Sequence, residues 1–126
     1  MTRFLLTLDD AVDLIEWSYN HLESHGNIVI PKIKAFKITD IATSLGKAYD
    51  KNISLKYIGI RPGEKLHEAM VSETESFRTK DYGQYYMITD NIINDTPYDT
   101  PWQFRSDWSL MKPDETYKFL KDSEVI

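Results

Sequence analysis

The stretch IGIRPGEKLHE, residues 58–68, carries the strongest local fold signals in this chain. The apolar and β-branched residues from Ile53 to Ile60 predict a strand that leads into it. Arg61-Pro62-Gly63 predicts a tight turn, because proline fixes φ and glycine tolerates a positive φ. Residues from Glu64 to Ser72 then suit a helix. The stretch therefore predicts a strand, a rigid turn and a helix in succession.

The turn carries two side chains whose chemistry suits a nucleotide. Arg61 stands at the carboxyl end of the predicted strand, where open α/β sheets bind their ligands. An arginine fork suits a phosphate group, and the carboxylate of Glu64 can accept two hydrogen bonds from a diol. Arg61 and Glu64 could therefore grip a diphosphate and a ribose together. The alternative is a surface ion pair between them, worth under about 1 kcal/mol.

Three further helices are predicted on either side of this stretch. Thr7 and Asp10 form a capping-box pattern ahead of an apolar stripe, which predicts a helix over about 8–23. Thr39-Asp40 predicts the cap of a second helix that ends near Gly46. Pro113 suits the first turn of a last helix, which we expect to run to about Leu120.

Two more strands and a long loop complete the predicted order of elements. Residues 27–30 form a β-branched run that ends at Pro31, and residues 85–88 are a second apolar run. Residues 89–112 are rich in polar residues and prolines, with aromatic side chains that we expect to hold this loop to a core or a partner. The whole is an α/β pattern with few strands, which is thin for a complete sheet.

Composition limits the class of protein. The 126 residues correspond to one domain or part of one, and the net charge of −5 argues against a dedicated nucleic-acid binder. Cysteine is absent, which excludes disulfides and thiolate metal sites. No stretch is apolar enough to span a bilayer, and the first residues resemble neither a signal nor a transit peptide. We therefore expect a cytoplasmic protein that does not associate with membranes.

The chain contains no common catalytic motif that indicates a site. The glycines form neither a dinucleotide fingerprint nor a P-loop. His67-Glu68 begins a zinc-protease motif, but residue 71 is valine. Tyr117 and Lys121 have the spacing of a catalytic pair in nicotinamide-dependent enzymes, yet no cofactor motif precedes them, and we interpret them as an ordinary helix surface. We expect no catalytic, cofactor-binding or metal-binding residue in this chain.

Several motifs occur in the order found in one enzyme family. They are MTRF at 1–4 with LDDAVD at 8–13, IVIPK at 28–32 with KITDIA at 37–42, GIRPGEKLHE at 59–68, YYMI at 85–88 and RSD at 105–107. On these motifs the chain resembles the C-terminal, substrate-binding half of extended short-chain dehydrogenase/reductase enzymes that act on sugar nucleotides. Within them it is most similar to polysaccharide biosynthesis proteins of the inverting UDP-N-acetylglucosamine 4,6-dehydratase type.

The resemblance implies a fold, and it implies that substrate binding and catalysis lie in different parts of the enzyme. The chain would be the small substrate domain of a Rossmann-type enzyme, a single partial domain over 1–126 with about four helices and three short strands. The Rossmann half, with the NADP or NAD site and the catalytic residues, would lie outside this sequence. The chain alone would then be inactive, and it would pair with a Rossmann-domain half or a full-length relative. An oligomer is one form that this pairing could take.

The resemblance also implies a substrate site. Arg61 matches the family arginine that contacts the diphosphate of a UDP-sugar, and Glu64 matches the position that contacts the uridine part, at its ribose. Arg3 lies where related enzymes place a second basic residue near the phosphates. His67 and Glu68 belong to the same signature, and we expect them to fix the predicted helix against the strand instead of binding the ligand.

The implied function is substrate binding for a UDP-sugar 4,6-dehydratase that makes precursors of capsule, O-antigen or flagellin glycans. A fragment of a UDP-sugar 4-epimerase is the alternative chemistry, since it uses the same grip. A second alternative is a non-catalytic module that binds UDP-sugars or other proteins on its own, and a third is a decayed gene product.

Overall fold

The computed structural model describes residues 1–93 and 96–126, so positions 94 and 95 of the predicted loop lie outside it. The helices are α1 Leu8–Asn20, α2 Ile38–Ala48, α3 Glu73–Ser76 and α4 Pro113–Asp122, with a 3-10 helix at Leu22–Ser24. The strands are β1 Thr2–Phe4, β2 Ile28–Pro31, β3 Ala35–Lys37, β4 Ala69–Val71, β5 Thr79–Asp81, β6 Tyr85–Ile88 and β7 Phe104–Arg105. The α/β prediction is confirmed, and in this part of the chain no helix has the length and apolar character of a membrane span.

Contacts divide the chain into two compact units, each built from separate stretches of sequence. The first unit comprises Met1–Leu5, Lys34–Glu68 and Ser106–Ile126. The second unit comprises Leu6–Ile33 and Ala69–Arg105. The prediction of a single partial domain stays a prediction.

The first unit is built on a two-stranded sheet and a helix pair. β1 pairs antiparallel with β3, and Arg3 lies opposite Phe36. β3 leads directly into α2, which packs against α4. A Cβ added at Gly46 would lie 3.0 Å from the Lys51 carbonyl oxygen and 3.1 Å from Ile53. Glycine is therefore needed there, because the chain leaving α2 folds back closely over the helix.

The second unit has its own sheet and core. β2, β6 and β5 form an antiparallel sheet in that order, and β4 pairs separately with β7. Val71, Tyr86 and Trp102 belong to the buried cluster, with the Tyr86 and Trp102 ring centroids 5.0 Å apart. The expectation that aromatic residues hold the loop to a core is confirmed for Trp102, whereas Trp108 is 60% exposed.

Elements with local start and stop signals were predicted correctly. The capping box ahead of α1 is formed: the Asp10 backbone N–H donates to the Thr7 hydroxyl at 3.0 Å, and the Thr7 backbone N–H donates to the Asp10 carboxylate at 3.2 Å. β2, β6 and α4 lie where the sequence predicts them. The predicted cap of α2 is wrong, because this helix begins at Ile38 and its N-cap is Lys37.

The strand predicted over Ile53 to Ile60 is wrong. Within the part of the chain that the structure describes, residues 52–60 belong to no strand and make no backbone hydrogen bond. Their side chains are exposed, including Tyr57 at 82% and Ile58 at 69%. A β-branched run has the propensity for a strand, but a strand also needs a neighbour to receive its hydrogen bonds.

The helix predicted over Glu64 to Ser72 is also wrong. Residues 64–68 are irregular and are followed by β4, so the next helix, α3, begins only after Ser72. Ser72 caps it, because its hydroxyl accepts from the Glu75 backbone N–H at 3.3 Å and its own backbone N–H donates to the Glu75 carboxylate at 2.9 Å. Hydrogen bonds from the Ser72 hydroxyl and backbone lower the pKa of Glu75.

Candidate functional site

The predicted turn at Arg61 is confirmed in detail. The Glu64 backbone N–H donates to the Arg61 carbonyl at 3.1 Å, which closes a four-residue β-turn. Pro62 occupies its second position, and Gly63 has φ +80° at its third. This is the arrangement of a type II turn, in which the third residue needs a positive φ. The sequence folds this way locally because proline fixes the φ that the second position needs and glycine allows the positive φ of the third.

The two polar side chains of the turn differ in their hydrogen bonding: Glu64 has a partner within the turn and Arg61 has none. One carboxylate oxygen of Glu64, Oε2, accepts a hydrogen bond from the Arg61 backbone N–H at 3.1 Å. The Arg61 side chain is exposed, and its guanidinium meets no partner among residues 1–93 and 96–126. The surface ion pair considered as an alternative is therefore not formed. The guanidinium is free to bind an anion from solution.

Arg3 is bound to the segment that follows the turn. Its guanidinium donates to the Lys65 carbonyl at 2.9 Å and to the Thr2 carbonyl at 2.7 Å. Its Nε lies 3.6 Å from a carboxylate oxygen of Glu68. The structure thus places Arg3 against the residue after Glu64, so the three predicted site residues belong to one local arrangement. Direct contact of Arg3 with a phosphate stays a prediction.

His67 and Glu68 hold the signature against β1. The sequence predicts such a supporting role for them, but it assigns it to a helix packed on a different strand. His67 Nδ1 is hydrogen-bonded to the Thr2 hydroxyl at 2.7 Å. The Phe4 backbone N–H donates to the Glu68 carboxylate at 2.9 Å. The element they hold is an extended segment and not a helix, because polar groups of residues 66–68 form hydrogen bonds with β1 instead of with each other. The Thr2 backbone N–H, for example, donates to the Leu66 carbonyl at 2.8 Å.

A buried pair of hydroxyls under the signature was not predicted. Thr2 is 3% exposed and Ser106 is fully buried, and their hydroxyl oxygens are 2.6 Å apart. The Glu68 backbone N–H donates to the Ser106 hydroxyl at 2.9 Å, and the Ser106 backbone N–H donates to the Glu68 carbonyl at 2.8 Å. Both residues lie within motifs that carry the family resemblance, and this was the signal that could have identified them.

The exposed segment around the turn is positively charged although the chain as a whole is acidic. Residues 51–65 contain four cations, Lys51, Lys56, Arg61 and Lys65, and one carboxylate, Glu64, so 4 − 1 gives a net charge of +3. Local positive charge raises the concentration of anions near a surface and speeds their association. The arrangement can therefore attract a polyanion and hold it at a rigid turn.

The described residues do not fit a dinucleotide cofactor. Such a site needs a glycine-rich turn between a strand and the helix that receives the phosphates. In this chain β3 passes directly into α2 through Lys37, with no glycine at the junction. No chemical step is therefore assigned here to a nicotinamide.

Comparison with known proteins supports the resemblance. A family model described as polysaccharide biosynthesis protein matches residues 1–90, which include the turn. The chain is 44% identical over 92 residues to the UDP-N-acetylglucosamine 4,6-dehydratase (inverting) of Campylobacter jejuni subsp. jejuni serotype O:2, covering 73% of this chain and 26% of that protein. It is 39% identical over 88 residues to the UDP-glucose 4-epimerase of Rickettsia felis, covering 70% of this chain and 26% of that one.

A solved structure supports the fold. The X-ray structure of Pen from Bacillus thuringiensis superposes with a TM-score of 0.80 and 22% identity, covering all of this chain and 40% of that one. The chain spans about a quarter of the length of the curated relatives that it matches. On the family model and these identities, the chain belongs to the polysaccharide biosynthesis protein family, among relatives named for their action on nucleotide sugars.

Proposed function

We propose that the Arg61–Glu64 turn binds the nucleotide part of a UDP-sugar, as the substrate-binding part of a nucleotide-sugar 4,6-dehydratase. The observation that carries this proposal is the free guanidinium of Arg61 on a type II turn with Glu64. UDP is the part shared by the substrates for which the two kinds of relative are named.

Arg61 supplies the phosphate contact in this proposal. A guanidinium presents parallel N–H donors that match two phosphate oxygens, and hydrogen bonds between charged groups are stronger than neutral ones. Pro62 restricts the backbone beside it, so less backbone freedom is lost on binding. The cations of residues 51–65 add longer-range attraction for a diphosphate.

Glu64 supplies the ribose contact. Its Oε2 is already held by the Arg61 backbone N–H, which orients the carboxylate before the ligand arrives. The remaining oxygen and lone pairs can accept hydrogen bonds from the 2′- and 3′-hydroxyls. A carboxylate and a guanidinium fixed by one turn can thus bind adjacent parts of one nucleotide.

Arg3 has a supporting role and a predicted contact. Its bonds to the Lys65 and Thr2 carbonyls hold the segment that follows the turn, and they bring its positive charge close to the Lys65 backbone. We propose that it strengthens diphosphate binding by this charge.

The chemistry belongs to other parts of such an enzyme. We expect the nicotinamide cofactor, NADP or NAD, and the acid–base residues to come from a Rossmann-domain half or a full-length relative, and this chain alone to show no turnover. The dehydratase is preferred to the 4-epimerase because identity to it is higher, 44% against 39%. The epimerase remains the second candidate, and both would work in the cytoplasm on UDP-sugars.

Calorimetric titration of the 126-residue chain with UDP, UMP and 2′-deoxy-UDP tests the turn directly. Arg61→Ala should weaken UDP binding about tenfold or more, since a charge-assisted hydrogen bond contributes about 1.5–3 kcal/mol. The same variant should also reduce the preference for UDP over UMP. Lys56→Ala is the matched control, because it removes an exposed cation from the same segment without touching the turn.

Glu64→Ala tests the ribose contact independently. The native chain should prefer UDP to 2′-deoxy-UDP, and the variant should bind the two alike. The proposal fails if Arg61→Ala weakens UDP binding no more than Lys56→Ala does. Titration with UDP-N-acetylglucosamine and UDP-glucose then separates the two candidates, since a dehydratase of the proposed type should prefer the acetamido sugar.

A further inference from the structure

Three side chains form a line of short hydrogen bonds beneath the signature, and we name them the polar row. The Thr2 hydroxyl oxygen lies 2.7 Å from His67 Nδ1 and 2.6 Å from the Ser106 hydroxyl oxygen. All three residues belong to the first unit. Thr2 and Ser106 are buried, so the hydrogen bonds of the polar row depend on residues of this unit and not on whatever covers its surface.

The protons of the polar row can be arranged in only two ways. Each hydroxyl carries one proton, and a neutral imidazole carries one proton on one of its two nitrogens. If Ser106 donates to Thr2, the Thr2 proton is left for His67, and Nδ1 must accept it. If His67 instead donates through Nδ1, Thr2 donates to Ser106, and the Ser106 proton needs another acceptor. Each direction of the polar row therefore fixes one tautomer of His67.

The distances favour the direction that begins at Ser106. In that direction the Ser106 proton has its acceptor at 2.6 Å. In the opposite direction, its only other acceptor among the residues that the structure describes is the Thr2 carbonyl at 3.3 Å, which already accepts from Arg3 at 2.7 Å. The 2.7 Å between Thr2 and His67 is also usual for a hydroxyl donor, whereas N–H donors mostly lie about 2.9–3.0 Å from their acceptors. Nδ1 of His67 therefore accepts, and the proton of the imidazole is on Nε2.

The polar row supports the segment that follows the Arg61–Glu64 turn. The Thr2 backbone N–H donates at 2.8 Å to the carbonyl of Leu66, the residue before His67. Arg3, the neighbour of Thr2, donates at 2.9 Å to the carbonyl of the residue after Glu64. The imidazole bond to Thr2 thus acts together with two bonds to backbone carbonyls in fixing residues 65–67, on which the position of the Glu64 carboxylate depends.

We propose that His67 is a positioning residue for the Arg61–Glu64 turn. Ser106 donates to Thr2, Thr2 donates to Nδ1 of His67, and the imidazole is thereby held as the neutral Nε2–H tautomer. The positioning role rests on the proposed function, since it requires that the turn binds UDP. The tautomer rests on the hydrogen bonds alone, and its measurement needs no nucleotide. A histidine that only packed against β1 would exchange between its two tautomers.

Nitrogen NMR of the 126-residue chain with isotope-labelled histidine, at a mildly alkaline pH where imidazoles are neutral, reads the tautomers directly. The two ring nitrogens of a fixed tautomer resonate far apart, and exchange brings their signals together. His67 should show the Nε2–H form. His21 should show the Nδ1–H form, because its Nδ1 lies 2.8 Å from the Trp17 carbonyl, which can only accept. His25 is exposed and should show exchange.

Two variants test the direction of the polar row. Ser106→Ala removes the proton that Thr2 accepts, so Thr2 becomes free to accept from Nδ1–H and the second tautomer of His67 should appear. Thr2→Val keeps the shape of the buried side chain without its hydroxyl, and it should release the tautomer even if Ser106→Ala does not fold. Ser54→Ala changes an exposed serine of the same unit and should leave the His67 signals unchanged.

Calorimetric titration with UDP tests the positioning role. His67→Asn keeps a polar group at the δ position, within reach of Thr2, whereas His67→Gln moves it to the ε position. Asparagine should keep the UDP affinity within about threefold of that of the native chain, and glutamine should lower it about fivefold or more. His25→Gln makes the same change at an exposed histidine and should leave the affinity within about twofold.

The proposal is overturned if His67 of the native chain shows the Nδ1–H form or exchange, or if Ser106→Ala and Thr2→Val leave its tautomer fixed. It is also overturned if asparagine and glutamine at position 67 change the UDP affinity equally. A native chain that does not bind UDP overturns the proposed function as well, whereas the other contrary outcomes leave that function intact. An Nε2–H tautomer that the variants release, with asparagine retaining the affinity that glutamine loses, supports the proposal.

Discussion

The two halves of the RPGEKLHE signature have opposite surroundings. Residues 61–64 form an exposed turn whose hydrogen bonds are all internal, and Arg61 points its guanidinium into solvent. Residues 65–68 are tied to β1 and to Ser106 by backbone and side-chain hydrogen bonds. The first four residues are thus held only by bonds within the turn, whereas the next four are anchored to β1 and Ser106.

Under the proposed function, this short motif would separate recognition from support. A binding group is most effective when its own position is fixed by residues that do not touch the ligand. Pro62 stiffens the turn, Gly63 permits its positive φ, and a buried network centred on Ser106 holds its base. Substitutions in the two halves should therefore affect different measurements.

The largest effect is expected at the foundation, from Ser106→Ala. This change leaves the Glu68 backbone N–H without its acceptor and removes one of the two partners of the Thr2 hydroxyl, which keeps His67, and it should cost about 2 kcal/mol of unfolding free energy. Urea denaturation of the 126-residue chain measures it. Ser54→Ala, an exposed serine in the same unit, should stay within about 0.5 kcal/mol of the native chain. Equal losses in the two variants would contradict the buried network.

Substitution of the two glutamates of the signature should affect stability and UDP binding in opposite order. Glu68→Ala removes the acceptor for the Phe4 N–H and the ion pair with Arg3, and should cost about 1–1.5 kcal/mol because the side chain is partly exposed. Glu64→Ala removes a solvent-exposed hydrogen bond and should cost about 0.5 kcal/mol or less. UDP titration should reverse this order, with the larger loss at Glu64. If one glutamate dominates both measurements, the division between the halves is wrong.

Gly63→Ala sharpens the comparison within the turn. A β-carbon at φ +80° should cost about 1 kcal/mol, although the space around Gly63 is open. UDP affinity should fall at the same time, since the turn positions both Arg61 and Glu64. Gly63→Asn is the matched variant, because asparagine tolerates positive φ better, and it should recover part of both losses. No difference between alanine and asparagine would exclude backbone strain as the cause.

The smallest effect is expected from Pro62→Ala. The folded turn should survive, and about 0.5 kcal/mol should be lost because the unfolded chain gains conformational freedom. UDP affinity should fall by less than about threefold. A larger loss of affinity than of stability would indicate that the proline ring itself contacts the nucleotide.

The sequence predicts those parts of the fold whose causes are local. Three features are each determined within about four residues of sequence. They are the capping box before α1, the Pro62-Gly63 turn and Pro113 at the start of α4. Strands β1, β3, β5 and β7 contain two or three residues each, which is too short for an alternating pattern to appear. They form because distant partners receive their hydrogen bonds.

The candidate site follows the same rule. Arg61 and Glu64 could be selected from the sequence because turn chemistry and ligand chemistry coincide there. Ser106 lies in a motif of the resemblance, but its role could not be derived from local chemistry, since its link to Thr2 spans 104 residues. The predicted helix after Glu64 failed for a related reason: the bond from Thr2 to the Leu66 carbonyl draws the segment into extended form, and tertiary bonding overrides helix propensity.

The link between Glu68 and Ser106 has a consequence for synthesis on the ribosome. The turn can close as soon as Glu64 emerges, but the serine that locks its base follows Glu68 by 38 residues. At about 5–20 residues per second this is a delay of about 2–8 s, during which the nascent signature lacks its anchor. Messages truncated before the codon for Ser106 would yield chains that display the turn without the anchor of its base.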